Sequence, residues 1–109
     1  MSPEKRRVYF SEAYSALGDR VLEGPVFKPD ERDPGDPLPG ASYVLVIPTA
    51  SPSYLPYLDS AVAVVCDQGG LLAHLAIICR EIGIPYIRIP EANSMLKDGE
   101  WIELVPGAE

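Results

Sequence analysis

An α/β fold in a single compact domain is what this sequence predicts, on three observations. Two continuous runs of β-forming apolar residues, Tyr43-Val44-Leu45-Val46-Ile47 and Ala61 to Cys66, read as buried strands. Helical signals alternate with them: Ser51-Pro52 opens a short segment, and a stretch free of Pro and Gly follows Gly69-Gly70 and runs up to Gly83 and Pro85. The resulting order is strand, short helix, strand, helix, strand, turn, strand, with no internal repeat.

Residues 1–17 form a lead-in segment, in which Ser11 to Leu17 fits either a helical turn or an irregular stretch. Val21 to Phe27 is interrupted by Gly24-Pro25. It reads as an edge strand with a bulge, or as two short strands, because proline cannot donate to a central ladder. Residues 28–42 carry Pro29, Pro34, Pro37 and Pro39, with Asp30, Glu31, Asp33 and Asp36 between them, a stiff Pro-rich acidic loop. After the strand at 43–47, Ser51 supplies an N-cap and Pro52 a preset first position for a short helix reaching about Leu58. The strand from Ala61 to Cys66 leads into a tight turn at Gly69-Gly70, where glycine reaches conformations barred to other residues. The main helix follows and stops at Gly83, its C-cap. Tyr86-Ile87-Arg88-Ile89 is a strand, Glu91 to Leu96 a brief helical turn, Lys97-Asp98-Gly99 a tight turn, and Trp101 to Val105 the closing strand.

A chain of 109 residues suits one domain, 1–109, with one hydrophobic core. Its formal net charge of −7 argues against a nucleic-acid or anionic-membrane partner. No apolar run has the length to cross a bilayer, and residues 1–20 lack a signal-peptide pattern, so the cytoplasm is the expected compartment. Cys66 and Cys79 lie in apolar stretches and read as buried free thiols. With a single histidine beside them they are too few, and wrongly spaced, for a metal site.

That single histidine, His74, falls in the first turn of the main helix. Unpaired N–H groups and the positive end of the helix dipole favour an anion there. At about 100° per residue, Leu72, Leu75, Ala76, Cys79 and Ile82 share one side as a core stripe. His74 lies roughly opposite, with Leu71, Ile77, Ile78 and Glu81 as neighbours. The imidazole thus points off the core within an apolar surround, which either docks against another surface or is covered by a second layer of this domain. A histidine so placed can hold a phosphoryl group. Imidazole is a nucleophile near neutral pH, and the helix terminus stabilises the added negative charge. The chain has no P-loop or other glycine-rich nucleotide cradle with which to take phosphate from ATP alone.

From Asp67 to Pro85 the chain resembles the phosphohistidine, or swivelling mobile, domain of the phosphoenolpyruvate-utilising enzymes. That family includes pyruvate phosphate dikinase, phosphoenolpyruvate synthase, the rifampin phosphotransferases and the first enzyme of the sugar phosphotransferase system. Its motif, Asp-x-Gly-Gly-x-x-Ser/Thr-His-x-Ala-Ile-x-x-Arg-Glu-x-Gly-Ile-Pro, is matched at Asp67, Gly69, Gly70, His74, Ala76, Ile77, Arg80, Glu81, Gly83, Ile84 and Pro85. A looser likeness covers Gly18 to Phe27, Tyr43 to Pro56, and Leu96 to Val105. The resemblance implies a swivelling β/β/α fold and a phosphotransferase component that carries a phosphoryl or pyrophosphoryl group on His74. It places Gly69, Gly70, Leu72 and Ala73 at the phosphate, with Asp67 and Arg80 in support. It also implies an ATP- or phosphoenolpyruvate-dependent kinase domain or subunit and an acceptor domain or subunit as partners. ATP and Mg are then expected on the kinase partner, with no cofactor or metal held by this chain.

One position departs from the motif. Ala73 stands where Ser or Thr is usual, and it lacks the hydroxyl that can bond a phosphoryl group or the local backbone. A non-catalytic adaptor that keeps the fold without carrying phosphate is therefore the alternative. An enzyme using His74 as a general base is a third reading, with no second catalytic residue nearby in sequence. On the simpler reading of each residue, Asp67 is a turn-forming or helix-capping carboxylate, and Arg80, well round the helix from His74, makes a structural ion pair. Glu81 is then a solvated or partner-facing charge.

Overall fold

The strongest β-formers of the chain lie at the centre of its sheet. The computed structural model describes residues 5–10, 12–14, 21–31, 42–68 and 73–107. Among these, the strands are β1 (Lys5–Phe10), β2 (Glu12–Tyr14), β3 (Leu22–Phe27), β4 (Tyr43–Thr49), β5 (Ala61–Gln68), β6 (Tyr86–Arg88) and β7 (Trp101–Pro106). They form one sheet in the order β1-β7-β3-β4-β5-β6-β2. The run β3-β4-β5-β6 is parallel, as is β1-β7, while β3-β7 and β2-β6 are antiparallel. Helix α1 (His74–Ile82) joins β5 to β6, and the short helix α2 (Ala92–Met95) follows β6. Two 3₁₀ segments, Pro29–Glu31 and Pro52–Ser60, complete the order.

The outermost strands β1 and β2 are separated by one residue in sequence yet occupy opposite edges of the sheet. Seven flat strands about 4.8 Å apart would set those edges almost 30 Å apart. Two residue steps reach only about 7 Å. The sheet therefore curls, bringing the end of β1 and the start of β2 together. The alternation along each strand then gives two packed layers. Val44, Val46, Ala63, Val65, Ile87, Ile102 and Leu104 face the enclosed side, closed by Ala92 and Leu96 of the α2 region. Tyr43, Leu45, Ile47, Val64, Cys66 and Tyr86 face the other side, covered by Tyr54 and Leu58 of the 3₁₀ segment and by Leu75, Ala76 and Cys79 of α1. This is the α/β, β/β/α arrangement read from the sequence.

Local signals operate as expected at several points. Ser51 caps the 3₁₀ segment, its Oγ accepting from Ser53 N at 3.3 Å, with Pro52 as first residue. Gly83 ends α1 at φ 86°, and a Schellman pair forms: Gly83 N–H donates to Arg80 O (3.3 Å) and Ile84 N–H to Cys79 O (2.8 Å).

Three expectations are corrected. Residues 12–14, within the stretch read as a helical turn or irregular, are a strand, and so are residues 5–10 of the lead-in. Val8 and Phe10, two residues apart, both enter the core, an alternation too short to stand out beside the charged Lys5-Arg6-Arg7. The strand at 22–27 is internal, lying between β7 and β4. It pairs with β7 from Leu22 to Pro25 and with β4 only at Val26 and Phe27, so the proline sits where the strand changes neighbours. Ile82, placed by periodicity on the core stripe, is 55% exposed. The Schellman turn brings Ile84 against the core near Cys79 instead, which leaves Ile82 outside. Leu72 of that stripe, residues 15–17 of the lead-in and most of the Pro-rich loop, 32–41, lie outside the described residues.

Both cysteines are free and buried, as read. Burial holds the Cys79 thiol up at about 11, and burial with a hydrogen bond to Asp30 holds the Tyr54 hydroxyl up at about 12. Burial also raises Cys66, Tyr43 and Tyr86. Each of these groups keeps its proton longer in the fold than in the open chain. Above the ordinary thiol value of 9.0 the unfolded state therefore binds fewer protons, and stability falls as pH rises. Thermal unfolding is expected to shift downward between pH 9 and 11, and Cys79→Ala should flatten that part of the profile.

Candidate functional site

The parallel strands β4, β5 and β6 end together, and the site lies at that carboxyl end. β5 delivers the chain to Gln68, and α1 begins at His74, so residues 69–72 connect a fixed strand to a fixed helix. Gly69, Gly70 and Leu72 of the motif lie in that connection, outside the described residues. The helix end is anchored by Leu75 and Ala76, at 1% and 0% exposure. The strand end is anchored by the Ile89 N–H, which donates to Cys66 O at 3.1 Å.

His74 is the first residue of α1 and is exposed. Ala73, the N-cap, has extended backbone (φ −61°, ψ 151°) and no side-chain cap, and its carbonyl accepts from Ile77 N at 3.1 Å. The first turn contains no acidic residue, while Arg80 sits in the last turn, favourable to the helix dipole. The N-terminal N–H groups of α1 thus have neither a side-chain cap nor a carboxylate of their own turn. Around the imidazole, Glu81 is exposed, Ile77 is 38% exposed and Ile78 packs partly against the core. His74 and Ile77 therefore face outward, whereas Ile78 belongs to this domain's own packing.

Asp67 caps a helix, but it is α2, not α1. Its Oδ1 accepts from Glu91 N (2.9 Å) and its Oδ2 from Asn93 N (3.1 Å). The two helices lie on opposite faces of the sheet with their N-termini toward the same end. The carboxylate neutralises one of these and leaves the other, at His74, without a counter-charge from its own first turn. Arg80 is exposed at the far end of α1 from His74.

Three residues that the sequence did not single out hold the far side of this end. Lys28, only 4% exposed, donates from Nζ to Asn93 O (2.5 Å) and Leu96 O (3.0 Å), and its N–H donates to Asp98 Oδ1 (2.7 Å). Arg6 donates to Met95 O (2.6 Å) and Glu100 Oε1 (2.5 Å). Glu91 adopts φ 66°, the left-handed region. A lysine at the head of a Pro-rich acidic loop reads as solvated, and nothing in sequence pairs it with carbonyls 65 and 68 residues away. A cleft of about 470 Å³ lined by Lys5, Arg6, Met95, Lys97, Glu100 and Trp101 contains none of the motif residues. Among the described residues, no group of three His, Cys, Asp or Glu could hold a metal ion, and no helix is long and apolar enough to cross a membrane.

Comparison with known proteins shows the family. Residues 39–106 match the family model of the PEP-utilising enzyme mobile domain. The chain is 46% identical over 57 residues to a phosphoenolpyruvate synthase of Aeropyrum pernix, covering 51% of this chain and 7% of that protein. It is 36% identical over 92 residues to the phosphoenolpyruvate synthase of Escherichia coli K12, covering 78% of this chain and 11% of that protein. To that of Pseudomonas aeruginosa it is 35% identical over 94 residues, covering 80% and 11%. The chain thus spans about a tenth of the length of these curated relatives. It belongs to the PEP-utilising enzyme mobile-domain family.

Proposed function

We propose that this chain is a phosphohistidine carrier, the cytoplasmic phosphotransferase component that moves a phosphoryl or pyrophosphoryl group on His74 between a kinase domain and an acceptor domain. The observation that carries this reading is an exposed imidazole at the first position of a helix whose N-terminus has no side-chain cap. A ring nitrogen attacks the donor phosphorus, and the bond from phosphorus to the leaving oxygen breaks with its electron pair on that oxygen. The N–H stays on the other ring nitrogen. The N-terminal amides of α1 face the charge that arrives. An exposed histidine suits a group that must meet two surfaces in turn, and the outward face of Ile77 offers apolar contact to them. ATP or phosphoenolpyruvate, with Mg, would belong to the kinase partner, since phosphoryl transfer relies on positioned cations.

The test is intact mass of the chain after incubation with Mg-ATP and a candidate ATP-dependent kinase domain. A gain of one or two phosphoryl units, lost in mild acid and kept in base, is the expected result. No gain with an otherwise active kinase would move the assignment to the adaptor, the reading that Ala73 favours. Ala73→Ser separates the two further. The backbone at 73 already has N-cap geometry, so serine should stabilise α1 by about 1 kcal/mol in thermal unfolding. In a carrier it should also change the labelling rate; in an adaptor there is no rate to change.

A further inference from the structure

We infer that Arg88 is a binding residue for the phosphoryl group carried on His74, supplying the cation that this group faces on the α1 side of the sheet. The inference rests on the carrier reading and adds to it a residue outside the Asp67–Pro85 motif. Arg88 ends β6, and its register is fixed on β5, where it pairs with Cys66. Residues paired across a ladder share a face of the sheet. Cys66 lies in the layer covered by α1, and so does Tyr86, two residues before Arg88. The Arg88 side chain therefore leaves the sheet on the face that α1 covers. Electrostatics agree: burial pushes the Cys66 thiol and the Tyr86 hydroxyl up, and the Arg88 guanidinium acts against that rise in both.

The path of the chain sets the height of Arg88. From His74 to Ile82, α1 runs down the sheet by about 12 Å. The chain reverses at Gly83, and the stretch from Ile84 to Arg88 brings it back up by about 13 Å. Two ladder bonds pin that ascent, Val64 N–H donating to Pro85 O (2.9 Å) and Ile89 N–H to Cys66 O (3.1 Å). Arg88 thus stands level with His74, at the end of the sheet where the N–H groups of α1 lack a side-chain cap. Thr49 and Gln68, paired one row further on and on the same face, are exposed, so the apolar layer ends there in a polar rim. Among the described residues the other cations lie elsewhere. Arg80 is in the last turn of α1, Lys28 clamps α2, Arg7 is exposed on β1, and Lys5, Arg6 and Lys97 line the cleft. Arg88 is half-buried, so its stem lies against the sheet while its head reaches water. A guanidinium stays charged throughout the working pH range and offers a planar fork to phosphate oxygens.

The experiment uses the full chain, whose single histidine gives its imidazole C–H signals a unique assignment in proton NMR. Inorganic phosphate is titrated at fixed pH and ionic strength into the parent, Arg88→Met, Arg88→Lys and Arg7→Met. Each is also melted thermally and labelled with Mg-ATP by the same candidate kinase domain. The His74 signals of the parent should shift with phosphate to saturation. Arg88→Met should weaken that binding about fivefold or more and slow labelling about tenfold, since a forked, charge-assisted contact is lost. Arg88→Lys keeps a point charge and should fall between the two. Arg7→Met removes the same charge from an exposed position on β1 and should match the parent within about twofold. Phosphate binding that is absent in the parent, unchanged in Arg88→Met or equally weakened in Arg7→Met overturns the role of Arg88 alone. So does an unchanged labelling rate in Arg88→Met, or a loss in Arg88→Met and Arg88→Lys alike that follows a lowered Tm, the mark of a structural arginine. Should Arg88→Met fail to fold, Arg88→Gln is read by the same thresholds. A parent that binds phosphate but is never labelled by an otherwise active kinase overturns the carrier reading and this inference with it.

Discussion

Replacing His74 with alanine is expected to abolish phosphoryl labelling while the fold persists. The imidazole is the one nucleophile of its type in the chain, so no second histidine can take its place. The residue is exposed at the first position of α1 and buries nothing, and alanine is a good helix former. The stability change should therefore stay within about 0.5 kcal/mol, the range of a surface substitution. Mass spectrometry should show no phosphorylated species in the variant at any time that gives full labelling of the parent. Thermal unfolding should give the same midpoint within about 2 °C. His74→Gln tests whether a polar side chain at the helix end suffices, and it too should be silent, since an amide nitrogen is not a nucleophile near neutral pH. Label that survives either substitution, or that resists acid in the parent, would place the phosphoryl group on another residue and end the assignment of His74.

The histidine and its helix were legible because their signals are local. The Gly83 C-cap, the core residues Leu75, Ala76 and Cys79, and the Ser51-Pro52 opening each depend on residues within one or two turns, and each appears as read. The apolar runs at 43–47 and 61–66 are likewise self-announcing, because strands buried on both faces need no alternation. What was hidden depends on distant partners. Residues 5–10 become a strand because β7, almost a hundred residues later, offers them a parallel edge. Pro25 is tolerated inside the sheet because the strand trades one neighbour for another at that residue. By sequence alone Asp67 fits a cap for the helix it precedes. It caps the helix that begins 25 positions on, a choice set by which face of β5 it occupies. The interactions of Lys28, Arg6 and Glu91 have no sequence signature at all. They arise from the way β1, β3 and α2 converge at one end of the curled sheet.

Lys28→Met is expected to be the most damaging single change outside the core, at about 3 kcal/mol. The substitution keeps the length of the side chain and most of its apolar stem, so no large cavity opens. What it removes is the ammonium that donates to Asn93 O and Leu96 O, the carbonyls at the C-terminal end of α2. Hydrogen bonds from a charged donor contribute about 1.5–3 kcal/mol each, and buried acceptors left without partners cost about 1–3 kcal/mol. Relief from burying a charge offsets part of that sum, which is why the net falls well below two full bonds. A helix of four residues has no stability of its own and exists only through its contacts. Loss of the clamp should therefore loosen Ala92 and Leu96 from the enclosed core layer. For a chain of this size the midpoint should fall by roughly 10 °C, out of a total stability on the order of 5–15 kcal/mol. Lys97→Met, at an exposed position on the same end, is the control and should shift the midpoint by no more than about 2 °C. The two outcomes separate charge removal in general from loss of the buried donor. A small shift for Lys28→Met would mean that α2 is held by Asp67 and its apolar contacts alone, and that the ammonium is carried by the fold without supporting it.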